Sequence, residues 1–161
     1  MLRKSKGKRD DSTPLPVKRI GSGVLLFYKG QLLIIQPAYS SDWLLPGGIV
    51  EAEESPLEGL VREVQEDLGI TITPTQILSV DYVRNVDMMG EYISFLFAAQ
   101  NLTEKEAQQI RLASNDFTDF RFVDIDVALR LLAPRVARRV ASTVQSVCEG
   151  DKVSYLENGH I

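Results

Sequence analysis

The amino-acid sequence predicts an α/β fold, a sandwich around a mixed β-sheet, on three observations. Short apolar runs of strand length and longer segments of helical period follow one another in a non-alternating order. With 161 residues, 44% hydrophobic and 25% charged, the chain has the size and composition of one soluble domain with a single packed core. One cysteine, Cys148, and one histidine, His160, allow no disulfide and no cysteine–histidine zinc cage, so the core must hold the fold.

The elements read in order. Residues 1–16 are polar, basic and end in Pro-Leu-Pro, which predicts a flexible tail ahead of one domain over 17–161. Val24–Phe27 and Leu32–Ile35 flank Tyr28-Lys29-Gly30-Gln31, the pattern of a hairpin with glycine in its turn. Both runs are almost continuously apolar, as in strands covered on both faces. A polar loop, Pro37–Asp42, leads to Trp43-Leu44-Leu45-Pro46-Gly47-Gly48. Ser55 as N-cap and Pro56 at the first helical position then start a helix. Leu57, Leu60, Val61, Val64 and Leu68 recur at helical spacing as its buried stripe, and Gly69 supplies a left-handed stop. Two strands follow at about 76–86 and 92–100, joined through Asp87-Met88-Met89-Gly90. Thr103 and Glu106 have capping-box spacing for a short helix. A strand over 120–125, a helix over 126–132 and, after Pro134, a helix with Val136, Val140, Val144 and Val147 on its buried side complete the chain. Arg135, Arg138 and Arg139 are expected on the solvent side of that last helix, and Cys148 as a packing residue.

No apolar run approaches the roughly 18–20 residues of a membrane span, and the N-terminus lacks the apolar stretch of a signal peptide. The expected location is cytoplasmic, with no membrane partner. The net charge of -4 is unevenly spread: residues 1–20 hold seven basic and two acidic side chains, whereas 51–67 hold seven carboxylates and one arginine. The basic tail reads as a solubilising extension rather than a nucleic-acid-binding arm, and the formation of a homodimer stays open. The acidic segment must be stabilised by solvent, by arginine or by a divalent cation. At 100° per residue Glu63, Glu66 and Asp67 fall on one outward patch of the helix. Arg62 can pair with Glu58 and Glu66 at i,i+4 spacing but cannot neutralise three acids. A hard cation with oxygen ligands can, and Gly47 and Gly48 let the backbone approach the same place.

The stretch Gly48-x5-Glu54-x7-Arg62-Glu63-Val64-x-Glu66-Asp67-x-Gly69-Ile70 resembles the signature box of the Nudix hydrolase family, G-x5-E-x7-R-E-U-x-E-E-x-G-U with U a bulky aliphatic residue. Only Asp67 departs, an aspartate where the family usually has glutamate, one methylene shorter. The resemblance implies an α/β/α sandwich with a loop-helix-loop that hydrolyses a nucleoside diphosphate linked to another group, using magnesium or manganese. Carried over, Glu63, Glu66, Asp67 and the Gly47 carbonyl would be metal ligands. Glu54 and Arg62 would orient the helix, and Glu63 or Glu66 is the candidate base. Asp116, ahead of a late strand, is a further candidate ligand or base, and Glu91 a second.

Arg84, Trp43 and Tyr39 are candidate contacts to a small-molecule nucleotide, although Trp43 packing against the box loop is the simpler expectation. Markers seen in relatives acting on ADP-ribose, diadenosine polyphosphates and coenzyme A are absent. A nucleoside triphosphate or a sugar nucleotide therefore remains as the expected substrate. The alternative reading is a non-catalytic Nudix-like module that binds a nucleotide, regulates a partner and contacts nucleic acid through its basic tail.

Overall fold

The structure, a computed structural model, describes residues 15–84, 90–150 and 152–161. The expected tail over 1–16 and the 87–90 connection lie largely outside the described residues. The element order is β1 (Arg19–Leu25), β2 (Phe27–Tyr28), β3 (Gln31–Pro37), β4 (Gly47–Ile49), α1 (Pro56–Leu68), β5 (Pro74–Val83), β6 (Tyr92–Ala99), α2 (Glu104–Gln109), β7 (Phe117–Val123), α3 (Ile125–Leu131), α4 (Pro134–Glu149) and β8 (Ser154–Glu157). A five-stranded sheet runs β4-β1-β6-β5-β8 and a three-stranded one runs β2-β3-β7. The first is mixed: β1 pairs parallel with β6 and antiparallel with β4.

The expected hairpin is real but shorter. Phe27 and Tyr28 pair with Leu32 and Gln31 around Lys29 and Gly30, which have φ of 48° and 79°, as a two-residue turn requires. Residues 24 and 25 instead belong to the other sheet, beside β6. The apolar run spans two sheets, which periodicity cannot reveal. Both faces are covered, as expected: Val24, Leu26, Leu33 and Ile35 pack with α1 residues Leu60, Val64 and Leu68. Leu25, Leu32 and Ile34 point the other way, into a core with Ala128 and Val140 of α3 and α4. Alternate side chains of a strand face opposite sides, so the sheets lie between two helical layers.

Helix α1 begins and ends as expected. Ser55 and Glu58 form a reciprocal capping box, Pro56 occupies the first turn, and Gly69 closes the helix at φ 69°. Leu57 is the exception to the predicted stripe, being 45% exposed beside the fully buried Leu60. Helix α4 is turned about its axis relative to expectation. Arg139, Val140, Thr143 and Ser146 are buried, whereas Val147 and Cys148 are exposed. The cause lies in β5: Thr143 Oγ1 donates to Ser79 Oγ at 2.8 Å and Arg139 Nε to Asp81 Oδ2 at 2.8 Å. Polar pairing, invisible in the valine repeat, sets the helix face. Strand β8 was not anticipated; it adds to β5 as a parallel edge strand. The late strand starts three residues earlier than expected, and Ile125 opens α3 instead of ending it.

The two leucines of α1 give a test of this packing. Leu60→Ala should cost about 2–5 kcal/mol in urea unfolding, since its site is closed on all sides. Leu57→Ala should cost under about 1 kcal/mol.

Candidate active site

Site geometry starts from two glycines in β4. Gly48 and Gly47 pair with Ser22 and Gly23 of β1. Gly47 has φ +136°, and a Cβ there would collide with the Ser22 carbonyl and lie 2.7 Å from Gly23 Cα. A Cβ on Gly48 would land on the Glu63 carboxylate. The absent side chains thus let Glu63 of α1 rest directly against the β4 backbone. At Gly59 a Cβ would approach Glu54 Oε2 to 2.6 Å, so the loop before α1 also lies close to the helix.

Arg62 holds this arrangement together. Its Nε and Nη2 donate to the two oxygens of Glu54 at 2.8 and 2.9 Å, and Nη2 also reaches the Ile49 carbonyl at 3.1 Å. Nη1 donates to Glu63 Oε1 at 2.8 Å and Glu66 Oε2 at 3.0 Å. The expected pair with Glu66 forms, but the pair with Glu58 does not, because Glu58 accepts the Ser55 N–H in the capping box. The Arg62 hydrogen bonds, then the Glu51 N–H, bring the Glu54 pKa down from 4.5 to about 2, so Glu54 stays an anion and a firm anchor.

Asp67 does not face outward with Glu63 and Glu66; it is only 8% exposed. The stretch after α2 folds over it. Arg111 N–H donates to the Leu68 carbonyl, Ala113 N–H to the Asp67 carbonyl, each at 3.0 Å, and Ser114 Oγ to Asp67 Oδ1 at 3.3 Å. These bonds satisfy carbonyls at the helix end that have no partner within the helix. Burial first, then the Glu63 charge, push the Asp67 pKa from 3.8 to about 6, with Asp116 and Glu66 acting in the same direction and Ser114 against it.

The structure therefore brings Asp116 to the same acidic neighbourhood. Tyr39 is 81% exposed on an adjoining loop, where Ala38 N–H donates to the Asp116 carbonyl at 2.7 Å. The other candidates are elsewhere. Trp43 is 5% exposed and packs in the core shared with α3 rather than against the box loop, and the Arg121 guanidinium lies 4.7 Å from its ring centroid. Arg84 sits at the end of β5 within 3.9 Å of Glu157. Glu91 pairs with Lys18.

A cleft of about 260 Å³ opens beside Gly47 and Gly48. It is lined by Gly21, Gly23, Tyr92, Ser94 and residues of α4, including Arg135 and Arg139. Sequence reasoning missed these arginines as cleft residues because all three arginines of the helix were placed in solvent. Asp81 in the middle of a strand was the available signal: a buried strand carboxylate asks for a cationic partner.

The donors at α1 are carboxylate oxygens, the chemistry that suits magnesium or manganese. Among the described residues no three acidic side chains already converge as a finished cage. Arg62 spans Glu63 and Glu66, while Asp67 waits beneath its loop with a raised pKa. The set fits a cation that draws in these oxygens on binding.

Fold and site together define an α/β/α sandwich built around an arginine-clamped acidic loop-helix-loop. Residues 17–144 match the NUDIX domain family model. The chain belongs to the Nudix family. A MutT-like protein of Streptomyces ambofaciens is 35% identical over 71 residues, covering 44% of this chain and 46% of the relative. The 8-oxo-dGTP diphosphatase of Proteus vulgaris is 35% identical over 63 residues, 37% of this chain and 56% of the relative. The chain thus spans about half the length of these relatives. Among solved structures, the MutT protein of Methanosarcina mazei Go1 superposes with TM-score 0.69 at 23% identity, over 81% of this chain and 95% of that one. A UDP-X diphosphatase superposes with TM-score 0.68 at 17% identity, over 91% and 70%. At that identity the superpositions establish the fold. Among the described residues no helix is long and apolar enough to cross a membrane.

Two outcomes test the site's physics. Without divalent metal, the Asp67 carboxyl keeps its proton to about pH 6 when folded but loses it near 4 when unfolded. Stability should therefore fall as pH rises through that window, because the unfolded state binds fewer protons there. Asp67→Asn should flatten this slope in pH-dependent thermal unfolding and raise stability at pH 7.5 by roughly 1–3 kcal/mol. Gly47→Ala, striking backbone, should lower the melting temperature, whereas Gly48→Ala should leave it nearly unchanged because the Glu63 carboxylate can swing aside.

Proposed function

We propose that this protein hydrolyses a phosphoanhydride bond in a nucleoside diphosphate linked to another group, with a divalent magnesium or manganese ion as cofactor. The observation that carries the reading is the Arg62 hub, which orders Glu54, Glu63 and Glu66 beside the buried Asp67 and next to the cleft at Gly47 and Gly48. Glu63, Glu66 and Asp67 would hold the metal, with the Gly47 carbonyl and Asp116 as further oxygen donors. When bound, the ion offsets phosphate charge and lowers the pKa of coordinated water.

The chain's own residues do the rest. Glu54 anchors Arg62, and Arg62 aims Glu63 and Glu66 toward one side of α1. Glu63 or Glu66, within the same hydrogen-bonded set, takes the proton of the attacking water. Burial raises the Asp67 pKa to about 6, and a bound cation would favour its anionic form. The loop from Arg111 to Asp116 holds Asp67 through the Ala113 N–H and the Ser114 hydroxyl. The box glycines leave room for the β1 backbone and the Glu63 carboxylate to lie directly against β4.

A nucleoside triphosphate or a sugar nucleotide is the substrate class this reading favours. A relative named 8-oxo-dGTP diphosphatase supports the triphosphate, and the cleft's few hundred cubic ångströms suit a base or sugar. Tyr39, on the loop bonded to Asp116, is available to a bound nucleotide. Loss of box acids would favour the non-catalytic alternative, yet Glu54, Glu63 and Glu66 are all present and joined through one arginine.

With magnesium and a panel of nucleotides, phosphate-containing product should form and stop on chelation. Glu63→Gln should lower kcat by about 10²–10⁴-fold, and Arg62→Lys, which loses the fork, by about 10–100-fold. Gly48→Ala should reduce turnover despite its near-native melting temperature. Wild-type turnover equal to that of Glu63→Gln on every nucleotide would reject hydrolysis.

A further inference from the structure

The cleft beside the box carries a second feature, independent of the acids. Three arginines, Arg19, Arg135 and Arg139, line it, and among the described residues no carboxylate does. Arg139 is the informative one. It is 7% exposed, and its partner Asp81 is fully buried. Asp81 Oδ2 accepts Arg139 Nε at 2.8 Å, while Oδ1 accepts the Gly159 N–H at 3.0 Å. Arg139 Nη2 makes only a long contact, 3.5 Å, to the Tyr92 hydroxyl, and Nη1 has no partner among the described residues. Of five donors, most are therefore unused, in a side chain more than nine-tenths buried against the cleft.

A buried ion pair adds little net stability against apolar residues of the same volume, so stability alone is a weak reason for this pair. Its geometry does something else: the carboxylate is spent inward, and the guanidinium fork is held open toward the cleft. The anchor is the turn after β8, beyond the residues 17–144 matched by the family model. There Ser142 Oγ also donates to the Gly159 carbonyl at 2.8 Å. Gly21 and Gly23, which also line the cleft, contribute no side chains to it.

We propose that Arg139 is a specificity-determining residue of this cleft, donating to an acceptor oxygen on the part of the substrate remote from the acidic helix, and that Asp81 and the Gly159 turn position it. This inference rests on the cleft being the nucleotide site of the proposed function. The acceptor can come from a base carbonyl or from an anionic sugar. A planar fork reads such a group with two donors, which a lysine ammonium cannot reproduce.

The test is an NMR titration of the full chain in EDTA with two matched pairs, ITP against ATP and UDP-glucuronate against UDP-glucose. Wild type should prefer the acceptor-bearing member of one pair by about tenfold, and the pair concerned identifies the source. Arg139→Lys should bring that ratio close to one while changing affinity for the other member by less than about threefold. Asp81→Asn should move it the same way by less. If Arg139→Lys does not fold, the Arg139→Gln/Asp81→Asn double variant leaves no buried charge and should show the same loss of preference. No preference in either pair, an equal loss for both members, or no binding of any of the four nucleotides overturns the inference. Preference in EDTA without turnover in magnesium would reject hydrolysis and leave Arg139's role standing; turnover without preference would do the reverse.

Discussion

Seven carboxylates lie between Glu51 and Asp67 and repel one another, and Arg62 binds three of them together. A guanidinium has a fixed planar fork with five donors. Here it touches three carboxylates and a carbonyl at once. Lysine, a point charge with rotatable donors, could neutralise but not orient. The acids of α1 thus become a directed set, and Glu54 ties that set to the loop leaving β4.

The second requirement is closeness between that helix and the sheet. Side chains at Gly47 and Gly48 would occupy the space now filled by the β1 backbone and the Glu63 carboxylate. The two glycines that admit Glu63 also line the cleft. The stability of this arrangement comes from elsewhere, from Leu60, Val64 and Leu68 packing on strands whose opposite faces are buried under α3 and α4. Asp67 shows the compromise at the boundary. It lies on the edge of the buried stripe, and the loop that finishes α1 hydrogen-bonded also takes the carboxylate out of water. Its raised pKa follows from that burial, and a cation would offset it.

The C-terminal helix works by different means. Its buried face is polar where it meets β5, and Arg139, Thr143, Asp81 and Ser79 pair across the interface. Such pairing orients a helix more narrowly than valines can, because hydrogen bonds depend on angle whereas apolar contact does not. The result is a cleft lined by arginines in a chain of net charge -4.

Much of this could be read from the residues in order. Ser55, Pro56 and Gly69 mark the ends of α1 because capping and left-handed turns depend on a few neighbouring atoms. The box acids are legible because their spacing is fixed along one helix. Three things were decided only by the tertiary structure: the burial of Asp67, the division of 24–28 between two sheets, and the inward turn of Arg139. Each depends on a segment far away in the chain, namely the loop at 111–116, strand β6, and Asp81 with the Gly159 turn. Local sequence determines which conformation a stretch prefers and which chemistry it carries. Desolvation and long-range hydrogen bonding, which arise only when distant segments meet, determine which of those groups face water, which are buried, and which open into the cleft.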